Sequence, residues 1–227
     1  MEVSTALQLT ISGLTMGSIY ALVAMGLYIA HLTTHRVNFG QGDYMMVAGF
    51  LVLGLGRLGL HAIFSVLVSI CILGLMGYFL ERIAIRPLDR FKRVSVGAYG
   101  WILTTAGLAL IAQNTVELVW GKSAQYSPPL FSSERDQMVT IFDARFLLEE
   151  LVVVFVAMAV VACFLWLIKK STWGKAIQVV AFSPDTAELL GIDTKSVKIF
   201  AFVIASVLAG VAGVLIGPIV TLQPHMG

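Results

Sequence analysis

The sequence predicts an all-α polytopic membrane protein, and three observations carry this prediction: a composition poor in charge, a series of long uncharged runs, and basic residues gathered between them. Of the 227 residues, 58% are hydrophobic and 12% are charged, with a mean hydropathy of +0.90. Ordinary soluble domains carry about 25% charged residues. A chain with so many apolar and so few charged residues is not expected to be soluble in water, so we expect it in a lipid bilayer.

Six runs are nearly free of charge and are long enough, or nearly long enough, to cross a hydrocarbon core about 30 Å thick. They are residues 3–30, 39–56, 61–80, 94–116, 151–168 and 199–222. The second run is interrupted by Asp43 and several glycines, so we expect a bent or broken helix that is buried among its neighbours. We therefore predict about six spans in one membrane domain, residues 1–227.

The orientation follows from the basic residues, because Lys and Arg in short loops mark the cytoplasmic side. Residues 81–93 and 169–198 each contain five of them, which predicts that both segments are cytoplasmic. By the parity of the intervening helices, the N-terminus and the loop of residues 121–150 are then extracytoplasmic. No basic n-region precedes the first run, so we expect that the first helix is retained.

Several functional classes are disfavoured. The net charge of +2 and the scattered basic residues do not indicate a nucleic-acid partner. The sequence has no phosphate-binding loop and no hydrolase or metalloprotease motif, so we predict no catalytic, cofactor or metal site and no ATP hydrolysis by this chain. His31 and His35 lack a third ligand, and Cys71 and Cys163 lie in apolar runs, where we expect small buried hydrophobic side chains.

Small residues at four-residue spacing let membrane helices approach closely. One such ridge lies in the last predicted helix and a shorter one lies in the first. They are Ala201, Ala205, Ala209, Gly213 and Gly217, and Gly13, Gly17 and Ala21. The two ridges predict either tight packing within the bundle or a subunit interface.

The segment of residues 38–46 is polar and glycine-rich where a membrane helix should begin. Polar groups at such depth usually face a cavity, which makes Asn38, Gln41 and Asp43 candidates for a pathway or gate. A helix N-terminus there would favour an anionic group of the solute. The alternative is that Asn38 or Asp43 caps a helix.

The segment of residues 171–193 is amphipathic and too short to span. Ser183, Pro184 and Asp185 are typical of a helix start, with Pro at its first position, and Gly191 is typical of a helix end. We predict a short helix on the cytoplasmic face, suited to contact a protein partner.

Five blocks in order resemble the permeases of branched-chain amino-acid ABC importers. They are residues 13–27, 37–43, 81–88, 174–176 and 185–192, the last followed by the small-residue helix that ends near Gly217. Two positions depart from the pattern: Gln41 stands where family members often have His, and Gly40 where they often have Ala.

The resemblance implies the membrane-spanning subunit of an ATP-driven importer in a bacterial inner membrane. Its expected partners are a second, similar permease, two cytoplasmic ATPases that use the ATP, and an extracytoplasmic solute-binding protein. The residues that match the family's ATPase-coupling loop are Gly174, Ala176, Asp185, Ala187, Glu188, Leu190 and Gly191. Members of the family usually continue through further helices, so we expect C-terminal helices to be missing after Gly227.

The residues leave the solute open between branched-chain amino acids and another amino acid, an amide or urea. The alternative function is an ion-coupled secondary transporter or channel, which would require intramembrane ionisable residues in pairs. Asp43 and Glu117 are its candidates. A membrane scaffold without transport activity is a third class.

Overall fold

The computed structural model describes residues 2–87, 95–127, 138–141 and 144–227, which form a bundle of helices. The helices are α1 (Glu2–Thr34), α2 (Gln41–Arg57), α3 (Ala62–Phe79), α4 (Ser95–Trp120), α5 (Leu148–Lys170), α6 (Thr172–Phe182), α7 (Pro184–Leu189) and α8 (Thr194–Ile216). A π-helical segment (Leu80–Ile85) continues α3. Strands β1 (Met138–Ile141) and β2 (Ala144–Leu147) pair antiparallel, with Met138 opposite Leu147.

Five helices in the described residues are long and apolar enough to cross a membrane. They are α1, α3 together with the π-helical segment, α4, α5 and α8. These five coincide with five of the six predicted spans, and the all-α polytopic membrane class is confirmed. The orientation stays a prediction.

The sixth predicted span, residues 39–56, forms α2, which differs from the expectation in two ways. With 17 residues it is about 25 Å long, short of a hydrocarbon core of about 30 Å. It is also one continuous helix, so the expectation of a break is wrong. The expected burial is confirmed, because α2 packs between α8, α3 and α4.

Helix α8 forms the centre of the bundle and packs against α1, α2 and α3. Its predicted ridge is buried along its length. A Cβ atom built on Gly213 would lie 2.0 Å from the carbonyl oxygen of Met45 in α2. The neighbouring helix supplies a glycine at another crossing, where a Cβ on Gly77 would lie 2.6 Å from the carbonyl oxygen of Phe202. The α8 ridge therefore packs the bundle internally.

The ridge of α1 has a different environment. Gly13, Gly17 and Ala21 are exposed, and no atom lies within 4 Å of a Cβ built on either glycine. The described residues therefore leave this ridge open, and its role as a subunit interface stays a prediction. Cys71 and Cys163 are also exposed, so the expectation that they are buried is wrong; each lies on the outer side of a helix whose other side is packed in the bundle.

Parts of two predicted loops lie outside the described residues. In the basic loop of residues 81–93 these are residues 88–93, which include Arg90, Lys92 and Arg93. In the loop of residues 121–150 they are 128–137 and 142–143, which include Arg135.

Candidate pathway and coupling sites

The pathway candidates Asn38, Gln41 and Asp43 are all buried at the start of α2. The turn of residues 35–40 leads into this helix from α1. His35 in this turn adopts a left-handed φ of 54°. The structure brings Asn38 and Gln41 together and directs Asp43 to a different neighbour.

Asn38 and Gln41 form a chain of amide hydrogen bonds that ends on α8. The Asn38 Nδ2 donates to Gln41 Oε1 over 3.4 Å, and the Gln41 Nε2 donates to the carbonyl oxygen of Ala205 over 2.8 Å. A Cβ on Gly26 of α1 would lie 2.6 Å from that Nε2. The Gln41 side chain therefore lies where α1, α2 and α8 meet, packed against Gly26 of α1 and Ala205 of α8.

The capping alternative applies in part to Asn38. Its Oδ1 accepts a hydrogen bond from the backbone N–H of Gly40 over 3.0 Å, which stabilises the turn before the helix. The N-cap residue itself is Gly40, which has no side chain, and Asp43 makes no cap. Asp43 lies in the first turn of α2, after the N-cap position.

Asp43 contacts α4. Its Oδ1 accepts a hydrogen bond from Gln113 Nε2 over 2.7 Å. The Gln113 Oε1 lies 3.4 Å from His225 Nδ1, and His225 Nε2 lies 2.8 Å from Glu117 Oε1. A continuous line of polar groups thus connects the start of α2 with α4 and with the chain after α8.

The chain after α8 turns back along α2. The backbones of Leu222 and Gln125 exchange hydrogen bonds of 2.9 and 2.8 Å, which fixes this segment to the end of α4. Two glycines of α2 allow its approach, since a Cβ on Gly49 would lie 2.7 Å from Leu222 and one on Gly42 would lie 2.4 Å from Gly227. The glycines that suggested a broken helix instead accommodate a packed segment.

Sequence reasoning missed Gln113 and His225 as members of this site. Gln113 could have been found, because Gln113 and Glu117 are four residues apart and share one face of a largely apolar helix. His225 has no local signal, since its contacts join residues more than 100 positions apart in the chain.

The predicted coupling segment forms α6 and α7, joined at Ser183. Ser171 and Ser183 cap the two helices, accepting hydrogen bonds from the N–H groups of Gly174 (3.1 Å) and Thr186 (3.2 Å). Pro184 occupies the first turn of α7, as predicted. We call residues 171–193 the coupling hairpin.

The end of α7 is a Schellman motif built on Gly191. The Ile192 N–H donates to the Ala187 carbonyl over 2.9 Å and the Gly191 N–H donates to the Glu188 carbonyl over 3.0 Å. Gly191 has the left-handed φ of 76° that this motif requires. The predicted helix start and helix end are both confirmed.

The coupling residues fall into two groups. Gly174, Ala176 and Ala187 face inward, and a Cβ on Gly174 would lie 2.2 Å from the Ile168 carbonyl oxygen, so α6 folds tightly against the end of α5. Asp185, Glu188 and Leu190 are exposed; Glu188 Oε1 accepts a hydrogen bond from Thr194 Oγ1 over 2.9 Å.

Three apolar side chains of the hairpin are more than 60% exposed. Phe182 is 91% exposed, Leu189 88% and Leu190 68%. Sequence reasoning named only Leu190. Exposed apolar surface of sufficient size typically marks a contact with a protein or a membrane.

Asp193 connects the hairpin to α8 as the N-cap of that helix. Its Oδ2 accepts a hydrogen bond of 2.6 Å from the Ser196 hydroxyl, and its Oδ1 accepts one from the Lys195 N–H. The Ser196 bond, with help from the backbone N–H groups of Lys195 and Ser196, holds the pKa of this carboxyl below its usual value.

No group of three His, Cys, Asp or Glu side chains in the described part of the chain is placed to hold a metal ion. His31 and His35 meet edge to face, with ring centroids 6.2 Å apart.

Comparison with known proteins gives one consistent result. Residues 9–227 match the family model described as the permease component of branched-chain amino-acid transport systems. The high-affinity branched-chain amino-acid permease LivH of Salmonella typhimurium is 30% identical over 97% of this chain and 74% of its own length. BraD of Pseudomonas aeruginosa is 29% identical over 95% and 72%. No solved structure matches.

Proposed function

The chain belongs to the permease family of branched-chain amino-acid ABC importers, and from this premise we propose that it carries branched-chain amino acids through the α2, α4 and α8 region and is driven through its coupling hairpin. It is a multi-pass inner-membrane permease subunit of a bacterial importer, and the ion-coupled alternative is not favoured. Membership of this family implies ATPase and binding-protein partners. We propose two cytoplasmic ATPases, a second similar permease and an extracytoplasmic binding protein.

The observation that carries the proposed coupling is the exposed apolar tip of the hairpin. Phe182 ends α6, and Leu189 and Leu190 lie at the end of α7, whose inward residue, Ala187, is fully buried. A force applied at the tip would reach α8 directly, because Asp193 caps that helix and Glu188 bonds Thr194. The ATPases would supply the ATP site, and this chain needs no cofactor of its own for that role.

The coupling role is tested with Leu189→Ser in the assembled transporter reconstituted in liposomes. Loss of an apolar anchor at a protein contact should lower ATP-driven uptake of labelled leucine by about tenfold or more, with unchanged amounts of permease in the membrane. Leu58→Ser is the matched control. Leu58 is also an exposed leucine (77%), but it lies at the C-terminal end of α2, outside the coupling hairpin. Equal uptake by Leu189→Ser and Leu58→Ser would contradict the coupling role.

The pathway role of the α2 start is tested with Asp43→Leu. Removing the acceptor of the Gln113 bond should lower uptake more than purified yield. Asn114→Leu is the control, because Asn114 bonds only the carbonyl of Leu110 within its own helix in the described contacts. Equal loss of yield and uptake in Asp43→Leu would indicate a packing role alone.

The proposed solute class is tested by competition. Unlabelled isoleucine and valine should each suppress the uptake of labelled leucine by the assembled transporter, whereas urea and acetamide should not. Suppression by urea or acetamide, without suppression by valine, would contradict the solute class and leave the permease assignment intact.

A further inference from the structure

An apolar groove of about 470 Å³ runs between α3 and α4, with α2 as its floor. Volumes of 300–1,000 Å³ are typical of small-molecule sites. The groove exists because α4 packs against α2 and the π-helical segment but makes little contact with α3. The groove is distinct from the line of polar groups, because Asp43, Gln113 and Glu117 do not line it.

The side chains that line the groove favour a ligand without polar groups. Apart from Tyr44 and Thr115, its residues are hydrophobic. Thr115 gives its hydroxyl hydrogen to the carbonyl oxygen of Ile111 in its own helix, over 2.7 Å. The polar capacity of this threonine is therefore satisfied without a ligand.

The groove opens sideways, where lipid surrounds the bundle. Ile83, Ile111 and Val119 line it and are each more than 60% exposed. Along α4 it extends from Leu108 to Trp120, about 18 Å at 1.5 Å per residue. This length is close to one leaflet of a hydrocarbon core about 30 Å thick.

Two arginines lie near one end of the groove in the chain, next to the buried Glu81. Arg82 and Arg86 flank the lining residue Ile83 within about a turn, and both belong to the basic segment predicted to be cytoplasmic. The Arg82 guanidinium lies 5.7 Å from the centroid of the ring of Tyr78, four residues before it in the chain. A second lateral groove, of about 300 Å³ between α3, α5 and α8, is lined by apolar residues alone.

We propose that the groove between α3 and α4 binds one acyl chain of an anionic phospholipid, whose headgroup phosphate contacts Arg82 and Arg86. The apolar lining, the lateral opening and the length fit the acyl chain. The arginines fit the phosphate and select an anionic headgroup over a zwitterionic one. The bound lipid would hold α4 at a fixed distance from α3.

The test uses Trp120, which lines the groove, as a fluorescent reporter. The full chain with Trp101→Phe, Trp166→Phe and Trp173→Phe retains Trp120 as its one tryptophan. It is reconstituted in phosphatidylcholine bilayers with increasing fractions of phosphatidylglycerol or phosphatidylcholine that carries bromine on its acyl chains, which quenches a tryptophan on contact.

We expect brominated phosphatidylglycerol to quench Trp120 at a mole fraction at least about fivefold lower than brominated phosphatidylcholine, since each basic residue near an anionic surface contributes about a factor of five. Arg82→Gln together with Arg86→Gln should abolish this preference. Ala112→Phe should fill the groove and lower the quenching by both lipids. A matched chain that retains only Trp166, which is exposed on α5, reports quenching at an open site, where Lys169 and Lys170 lie within a turn. A chain whose one tryptophan is instead introduced by Leu75→Trp, at an exposed position of α3 outside the groove and with no basic residue within a turn, should show no headgroup preference.

Three results would overturn the proposal. They are equal quenching of Trp120 by the two lipids, a preference that persists in the double arginine variant, and quenching of Trp120 far below that of Trp166 with both lipids. The last result would mean that protein covers the groove. None of these results bears on ATP-driven uptake, so the proposed transport function stands or falls separately.

Discussion

At the residue scale, the positions that decide local structure are those where a side chain is either required or forbidden. Gly191 ends α7 with a φ of 76°, and Gly59 has a φ of 83° after α2. Both lie in open space, so the backbone conformation alone restricts what can replace them. Left-handed backbone costs other residues roughly 1–2 kcal/mol.

Gly191→Arg should uncouple ATP hydrolysis from uptake while the protein stays in the membrane. The substitution strains the Schellman turn and places a charged side chain at the proposed ATPase contact. The measurement is the ratio of leucine taken up to ATP hydrolysed in the assembled transporter. Gly59→Arg imposes the same strain away from the hairpin and should leave the ratio unchanged; a normal ratio in Gly191→Arg would count against the coupling role.

Acid should weaken the start of α8 through Asp193. The pKa of this carboxyl is lowered in the folded state, chiefly by the Ser196 hydroxyl. Its contribution is therefore fully present above the unfolded pKa, about 3.9, and is lost as the pH falls through the lower, folded pKa. The midpoint of thermal unfolding should differ between the protein and Asp193→Ala above pH 5, and the difference should shrink below about pH 4. A difference that does not change with pH would contradict this role.

At the scale of elements, hydropathy was enough to predict α1, α3, α4, α5 and α8, because each needs only a long apolar run to be stable in lipid. It was not enough for α2. Its glycines suggested a break, yet they allow Leu222 and Gly227 to approach from a segment more than 170 residues away in the chain. Local sequence does not encode such contacts, and for the same reason the partnership of Asp43 with Gln113 was not predicted.

The coupling hairpin shows the opposite case. Ser183, Pro184 and Gly191 are helix start and stop signals that act within a few residues, so α7 followed from the sequence almost to the residue. The outward direction of Phe182 and Leu189 did not follow, because it depends on how α6 folds back onto α5 through Gly174.

The contact between α8 and α2 should not tolerate a larger residue at Gly213. In Gly213→Ala, the new methyl carbon would lie 2.0 Å from the Met45 carbonyl oxygen, so the helices must separate at a cost of about 1–3 kcal/mol or more. Detergent-solubilised protein should show a lower midpoint of thermal unfolding. Gly107→Ala in α4 is the control, since nothing lies within 4 Å of its Cβ, and it should raise stability by up to about 1 kcal/mol. Equal stability of the two variants would contradict the packing of α8 at the centre.

At the scale of the whole molecule, the two proposed sites belong to one helix bundle. The start of α2 and the segment after α8 hold the polar groups of the proposed pathway, and the coupling hairpin holds the apolar tip of the proposed motor contact. Helix α8 connects them, because Asp193 begins it at the hairpin and Ala205 accepts the Gln41 bond farther along. If the hairpin lies in the cytosol, its movement relative to the bundle would therefore displace α8 and the contact between Ala205 and Gln41.

The most direct test of this arrangement is the side from which the hairpin can be labelled. Asp185→Cys places a thiol on the exposed surface of α7, in a chain whose native cysteines are replaced by Cys71→Ala and Cys163→Ala. A membrane-impermeant maleimide should label this thiol in inverted membrane vesicles and not in right-side-out vesicles or intact cells. Labelling from the outside alone would show that the hairpin is extracytoplasmic, and no cytoplasmic ATPase could then drive the bundle through it.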